Sequence, residues 1–195
     1  MVQETLWGIL GCGRIARKLA SDLRRVAGAK IFAVASRNEE NAMQFANDFS
    51  AEKIYTSYEA LAADENVQVI YIATPHNLHY ENTLLCLEHG KAVLCEKPFA
   101  INSRQAAAMI AKAKEKNVFL MEALWTKFLP HYNKLQQLIR EGLIGEIKSV
   151  SANFGFKPVE PIAQRIFDPA LAGGTLLDIG IYNLFIALSI LGKPQ

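Results

Sequence analysis

Three ionisable side chains interrupt otherwise apolar or turn-forming stretches of this sequence. Lys97 comes after the apolar run 92–95 and Glu96, and it precedes a proline. A lysine ammonium in such a place can donate to a reacting oxygen or stabilise a developing alkoxide. The residues alone equally allow a solvated lysine that pairs with Glu96.

Asp178 and Tyr182 are the other two, and both lie in the apolar stretch 176–191. Residues four positions apart share one face of a helix. Buried polar groups need partners, which favours a functional role for the pair. The alternatives are a helix N-cap for Asp178 and a core position for Tyr182, and the residues alone favour neither interpretation.

A glycine-rich turn near the N-terminus has the G-x-G-x-x-A pattern at residues 11–16. It lies between a predicted strand, 6–10, and a predicted helix, 14–26. The first glycine permits the tight turn, the second lets the backbone approach a pyrophosphate, and the free N–H groups of the helix bind the anion. The alternative is a turn without a ligand, in which Cys12 is a small filler rather than a reactive thiol. The predicted cofactor-binding residues of this loop are Gly11, Cys12, Gly13, Arg14 and Ile15.

Ser36 and Arg37 follow the second predicted strand, where NAD-specific domains commonly carry an acidic residue that binds the ribose hydroxyls. A hydroxyl and a guanidinium instead suit a 2′-phosphate, since arginine forms charge-assisted bonds with phosphate. The pair predicts NADP as the cofactor. NAD is the alternative if Arg37 stacks on adenine or is merely solvated.

Two further segments, 73–79 and 96–97, end predicted strands on the same side of the sheet. Ligands bind at the carboxyl ends of such strands, so these segments are predicted to contact the cofactor. His76 and His79 are three residues apart, but only Glu81 lies nearby as a further ligand, so no metal site is predicted. The residues assigned to cofactor contact here are Thr74, Pro75, His76, His79, Glu96 and Lys97.

The elements that must position these residues are indicated by strand and helix patterns that alternate over the first 124 residues. This alternation predicts an α/β fold with a doubly wound parallel Rossmann sheet. After Glu122 the pattern changes to a helix at 131–141, a strand at 147–156 and an apolar helix at 176–191. We therefore predict an NADP-binding domain, 1–124, followed by the start of an α+β substrate domain with an open sheet, 125–195.

Composition limits the class of protein. Of 195 residues, 51% are hydrophobic and 21% are charged, a composition that excludes a disordered chain. The net charge is only +2 and no cluster of Lys and Arg stands out, so a nucleic-acid partner is not expected. No secretory signal is evident, and the apolar stretch near 184–191 is judged far too short to span a membrane, so no membrane partner is expected. Three scattered cysteines argue against disulfides and zinc, and a cytoplasmic location is expected.

Four motifs, in order, resemble those of the Gfo/Idh/MocA family of NAD(P)-dependent oxidoreductases. Segments 96–100 and 119–125 are most similar to the dihydrodiol dehydrogenase and glucose–fructose oxidoreductase branch. Family members are much longer, so the resemblance implies that the chain is truncated within its substrate domain. The motifs are Gly11-Cys12-Gly13, Ala73-Thr74-Pro75, Glu96-Lys97-Pro98 and Gly174-x-x-x-Asp178-Ile179-Gly180.

The resemblance also implies roles for individual residues. Lys97 matches the active-site lysine, and Asp178 matches an aspartate expected to orient the substrate or its neighbours. Tyr182 matches the proposed acid/base of the dihydrodiol dehydrogenase branch, where a nearby lysine cation would lower a tyrosine pKa from about 10. Trp125 and Phe154 match aromatic positions of the substrate pocket.

The implied activity is NADP-dependent hydride transfer to or from a hydroxyl or carbonyl group of a cyclic diol or sugar-like substrate. The resemblance further implies a homodimer for the full-length protein. The alternative is an NADP-binding sensor or scaffold without turnover. The implied truncation favours this alternative, whereas the presence of the lysine, aspartate and tyrosine favours an enzyme.

Overall fold

The computed structural model describes residues 4–160 and 162–194. The chain divides into two compact units, Met1–Ala123 and Leu124–Gln195. The first unit contains a parallel sheet with helices on both faces. The described part of the second unit is helical and irregular.

The strands of the first unit are β1 (Thr5–Leu10), β2 (Ala29–Ala35), β3 (Lys53–Tyr55), β4 (Val69–Ile72), β5 (Ala92–Glu96) and β6 (Leu120–Ala123). Its helices are α1 (Arg14–Leu23), α2 (Glu39–Phe49), α3 (Tyr58–Ala63), α4 (His79–Glu88) and α5 (Ser103–Lys116). The second unit has α6 (Pro130–Arg140), α7 (Ile162–Phe167) and α8 (Ile181–Leu191), with a π-helical turn, Leu176–Gly180, directly before α8.

All six strands are parallel and lie in the order β3-β2-β1-β4-β5-β6, which confirms the predicted Rossmann sheet. The direction of strand succession changes between β1 and β4, the switch point where such sheets bind ligands. Loops that follow the row of residues paired across all six strands lie along one edge, and β5 and β6 pair for one residue more, Glu96 with Ala123. That row of paired residues is Tyr55, Ala35, Leu10, Ile72, Cys95 and Glu122.

Two apolar clusters fix the helices on opposite faces of the sheet. Neighbouring residues of a strand point to opposite faces, so Ile9 belongs to one cluster and Leu10 to the other. The Ile9 cluster includes Ala16 of α1 and Phe45 of α2. The Leu10 cluster includes residues from α3, α4 and α5, among them the fully buried Met109.

The boundaries of some elements differ from the predictions. Helix α1 ends at Leu23 rather than at Val26, whose side chain is exposed. Strand β3 was not predicted, because three residues are too few to show an alternating pattern. A short strand of this kind is stabilised by its partner β2, which lies far from it in the sequence.

The predicted strand at 147–156 is wrong: in the part of the chain that the structure describes, these residues form no ladder with another strand. Phe154 and Phe156 are about half exposed. Their alternation with polar residues suggested a strand, but a strand needs a neighbour for its backbone N–H and C=O groups. The open sheet expected to begin here is therefore not formed by these residues.

The apolar segment Pro169–Leu191 is longer than expected. Its 23 residues are long and apolar enough to cross a membrane by length and composition. The expectation that the longest apolar stretch lies near 184–191 and is far too short to span a membrane was therefore wrong by that criterion. Positive φ angles at Ala172 and Gly174 nevertheless interrupt it. The continuous helical part begins at Thr175 and rises about 25 Å, less than the hydrocarbon thickness of about 30 Å.

Candidate cofactor-binding and active site

Gly11 makes the turn after β1, and any side chain at its position would be strained. Its φ is +97°, and a Cβ atom there would lie 3.0 Å from the backbone of Ala73 and of Thr74. Glycine therefore permits both the turn and the close approach of the loop after β4. The tight turn predicted for the first glycine of the motif therefore has a steric basis.

Gly13 is the N-cap of α1, and the described residues provide no side-chain cap and no acidic side chain for the first turn of this helix. By contrast, Asn38, Ser57 and Asn102 cap α2, α3 and α5. A Cβ on Gly13 would have no described atom within 4 Å. The N–H groups at the start of α1, including those of Arg14 and Ile15, thus have space for an anion, which fits a dinucleotide pyrophosphate.

Cys12 has the properties of a packing residue. Its Sγ atom lies 3.7 Å from the carbonyl oxygen of Ala35, to which the thiol donates. Burial raises its pKa to about 11, against the opposing charge of Arg17. A thiol with such a pKa is largely protonated and a poor nucleophile at neutral pH.

Ser36 and Arg37 follow β2 at the same edge. Ser36 is buried, and its Oγ atom accepts a hydrogen bond from the amide of Asn38 at 3.2 Å, whereas Arg37 is exposed. Burial raises the pKa of the half-buried Tyr58, and the nearby Arg37 guanidinium opposes this rise. Sequence reasoning missed Tyr58; its only signal was an aromatic residue at the start of a helix.

His79 lies beneath the loops that follow β4 and β5, with 1% of its surface exposed. Its Nδ1 atom lies 2.8 Å from the Pro98 carbonyl oxygen, and its Nε2 atom lies 3.0 Å from the Thr74 carbonyl oxygen. Burial lowers its pKa to about 4, although both carbonyl contacts favour the charged form. His79 therefore links the loop after β4 to the loop after β5.

The rest of the loop after β4 is also held internally. The Thr74 hydroxyl accepts a hydrogen bond from Asn82 at 3.1 Å, while Pro75 is partly exposed. His76 is 4% exposed, and its ring meets that of His79 edge-on at 6.4 Å. Within the described residues, no group of three or more His, Cys, Asp or Glu side chains is placed to hold a metal ion.

Lys97 follows β5 beside two carboxylates. Glu96 accepts hydrogen bonds from the Tyr71 hydroxyl and, at 3.2 Å, from the Lys97 amide. Glu122 of β6 accepts from the Phe99 amide at 2.9 Å. Burial raises the pKa of both glutamates, and the Lys97 cation opposes each rise.

Sequence reasoning assigned no role to Glu122. Its signal was a single acidic residue at the point where the alternating pattern changes, and the contact with Phe99 spans 23 positions. Burial and the carboxylate of Glu96 also raise the pKa of Tyr71, which keeps this phenol protonated. Lys97 therefore lies among partly buried acidic groups that only the fold brings together.

In the second unit, Asp178 lies in the π-helical turn and is 7% exposed. Its carboxylate forms an ion pair with Arg165 of α7 at 2.7 Å. Single π-helical turns within helices often occur at functional sites. Sequence reasoning missed Arg165, because an isolated arginine in an irregular stretch gave no signal.

Tyr182, in the first turn of α8, contacts Phe154, with ring centroids 5.5 Å apart and planes tilted by 66°. Half of Phe154 is exposed, and so is half of Trp125, which begins a short 3₁₀ turn before α6. The structure thus brings together two residues expected near a substrate. Lys97 belongs to the first unit, and Asp178, Tyr182, Trp125 and Phe154 belong to the second.

Comparison with known proteins gives concordant matches. The chain is 42% identical over 193 residues to trans-1,2-dihydrobenzene-1,2-diol dehydrogenase from Mus musculus, covering 97% of this chain and 57% of that protein. A 3-ketoreductase from Actinomadura kijaniata, solved with NADP and TDP-benzene, is 32% identical with a TM-score of 0.91, covering 97% and 58%. An aldose-aldose oxidoreductase from Caulobacter crescentus, solved with glycerol, is 27% identical with a TM-score of 0.89, covering 98% and 58%.

The chain therefore spans little more than half the length of these relatives. Residues 5–124 match an oxidoreductase family with an NAD-binding Rossmann fold, Gfo/Idh/MocA. Residues 132–195 match a C-terminal domain of the same family. From its glycine loop to its C-terminal helix, the chain belongs to the Gfo/Idh/MocA family of oxidoreductases.

Proposed function

We propose that the protein containing this chain is an NADP-dependent oxidoreductase that acts on a hydroxyl or carbonyl group of a cyclic diol or sugar-like substrate. The observation that carries this proposal is that Lys97 follows β5 at the same sheet edge as the Gly11 turn and the uncapped start of α1. The activities named for the dehydrogenase and ketoreductase relatives support the reaction class.

The residues at this edge have distinct proposed tasks in holding the cofactor. The amides at the start of α1 bind the pyrophosphate, since the helix N-terminus carries a partial positive charge. Ser36 and Arg37 bind the 2′-phosphate, and Tyr58 holds the guanidinium. NAD is the competing cofactor, because the exposed Glu39 and Glu40 in the first turn of α2 add negative charge near Arg37.

The nicotinamide, when bound, supplies or accepts the hydride. In the reducing direction the substrate carbon gains the hydride and its oxygen gains a proton. Lys97 stabilises the negative charge that develops on that oxygen, and Tyr182 donates the proton from its hydroxyl. Asp178 orients neighbouring groups through Arg165, with which its carboxylate forms an ion pair.

Trp125 and Phe154 provide the proposed apolar walls for the substrate. Flat aromatic surfaces suit an alicyclic ring or the apolar face of a sugar. The full-length protein is proposed to be a homodimer in the cytoplasm.

The test is NADPH and NADH binding to the full-length protein, measured by fluorescence, together with turnover on cyclic diols, sugars and dicarbonyl compounds. We expect NADPH binding and turnover of at least one cyclic diol or sugar. Binding without turnover across the panel would contradict the enzyme proposal and favour an NADP-binding sensor. Lack of binding to either cofactor would contradict both.

A further inference from the structure

Each residue of the segment Lys97–Phe99 has one backbone group in contact with the side chain of another residue. The Lys97 amide donates to Glu96, the Pro98 carbonyl lies against the His79 ring, and the Phe99 amide donates to Glu122. We call this segment the lysine loop. Each binding side chain has a shifted pKa caused chiefly by burial.

Of these three side chains, Glu122 is the one that ties the lysine loop to a different strand of the sheet. Cys95 of β5 pairs with Glu122 of β6, so the glutamate lies beside the end of β5 just before the loop. Its Oε1 atom is 2.9 Å from the Phe99 nitrogen. Glu96, by contrast, binds the amide of its own sequence neighbour at a longer 3.2 Å.

Glu122 also acts on the side chain of Lys97 electrostatically. The charge of Lys97 favours the ionised form of the Glu122 carboxyl, although burial outweighs it and raises the pKa of this group. Glu96 experiences the charges of both Lys97 and Glu122. A carboxylate that binds an amide N–H in a partly desolvated site forms a strong, directional hydrogen bond.

We propose that Glu122 is a positioning residue for Lys97: its carboxylate fixes the lysine loop through the Phe99 amide and adds a negative charge to the surroundings of the lysine. For catalysis this inference rests on the proposed function, in which Lys97 stabilises a developing negative charge. Glu122 acts through the loop and through the charge of Lys97. It therefore belongs among the residues that set the geometry of the reaction rather than among those that contact the substrate.

The test compares Glu122→Gln, which keeps an oxygen acceptor and removes the charge, with Glu122→Ala, which removes both. Glu115→Gln, at an exposed site on α5, is the matched control for the loss of one negative charge. Two readouts do not need turnover: hydrogen exchange of the Phe99 amide, and the rate at which an amine-reactive reagent modifies Lys97. The exposed Lys127 serves as internal reference for the second readout.

In the full-length protein, Glu122→Ala should speed exchange of the Phe99 amide by about tenfold or more, whereas Glu122→Gln should stay within about threefold of the parent. Both variants should speed modification of Lys97 at pH 8 by about tenfold, since losing the nearby negative charge lets the ammonium release its proton at lower pH. Glu115→Gln should change neither. Unchanged Lys97 modification in both variants, or unchanged Phe99 exchange in Glu122→Ala, would overturn the proposal.

Kinetics supply a third readout once a substrate is known. Glu122→Ala should lower kcat at least tenfold while the Kd for NADPH stays within about threefold, and Glu122→Gln should retain more of kcat than Glu122→Ala. A purely structural glutamate would lower thermal stability without this split, and that result would contradict the positioning role. Because exchange and modification are measured without substrate, failure of the proposed enzyme function is distinguishable from failure of this inference.

Discussion

The guanidinium of Arg165 donates to the carboxylate of Asp178 at 2.7 Å, so the best-buried acidic group of the second unit has a charged partner. Replacing one member of such a pair leaves the other without its counter-charge. Since a third of the Arg165 side chain is exposed, we expect Arg165→Leu to cost about 1–2 kcal/mol of unfolding free energy.

Urea unfolding followed by the fluorescence of Trp125, with Trp7 replaced by phenylalanine throughout, would measure this cost. Lys157→Leu removes an exposed cation from the same unit and should change stability by less than about 0.5 kcal/mol. Equal effects of Arg165→Leu and Lys157→Leu would show that the ion pair contributes nothing measurable.

The cofactor preference depends on Arg37. Arg37→Ala should weaken NADPH binding by roughly tenfold to a hundredfold, since a charge-assisted hydrogen bond is worth about 1.5–3 kcal/mol. NADH binding should change less than about threefold, because NADH has no 2′-phosphate. Calorimetric titration of both cofactors measures the ratio, and Arg25→Ala, at an exposed position after α1, is the control. Equal parent affinities for NADPH and NADH would contradict the preference.

Turnover should depend on Lys97 and Tyr182 much more than binding does. Lys97→Met and Tyr182→Phe should each reduce kcat by about a hundredfold or more, with NADPH affinity within a few-fold of the parent. The exposed Lys127→Met is the control for loss of one cation. Near-normal steady-state turnover in both variants would mean that the two residues are structural and that the proposed chemistry is wrong.

The stability of the first unit should depend on pH through His79. The unfolded chain binds this proton below about pH 6.5, whereas the folded chain, where burial lowers the His79 pKa, binds it near pH 4. The contribution is therefore fully present above about pH 6.5 and is lost as the pH falls toward 4. Its upper limit is about 3 kcal/mol.

The measurement is urea unfolding at pH 7.5, 6.0 and 4.5 in the parent and in His79→Gln. The parent should lose stability over this range, and the variant should show a shallower dependence. His131→Gln, at an exposed position on α6, should retain the parent slope. Identical slopes in the parent and His79→Gln would mean that His79 titrates normally in the folded state.

The amides of residues 147–156 should exchange hydrogen at a different rate from those of the sheet. In the described structure these residues have no ladder partner, while those of β4 are bonded on both sides. We expect amides of 147–156 to exchange on the order of 1000-fold faster than those of Val69–Ile72. Comparable protection of the two segments, measured by mass spectrometry in this chain, would contradict the absence of a ladder.

Local sequence patterns predicted the elements whose signals lie within a few residues of one another. Strand β1 was predicted over 6–10 and is observed over Thr5–Leu10, and helix α1 begins at Arg14 as predicted. The Gly11 turn and the parallel sheet were likewise evident, because the glycine motif and the alternation of strands and helices are local or regularly repeated. These features follow from backbone sterics and side-chain periodicity.

The tertiary structure alone decided which distant groups meet. Glu122 reaches the amide of Phe99, 23 positions earlier, and Arg165 reaches Asp178, 13 positions later. The alternating segment 147–156 was predicted as a strand and is not one, because an alternating pattern specifies two faces but supplies no hydrogen-bonding neighbour. Strand pairing, burial and charge around a site depend on which residues the fold brings close together. The spacing of residues along the chain does not predict that proximity.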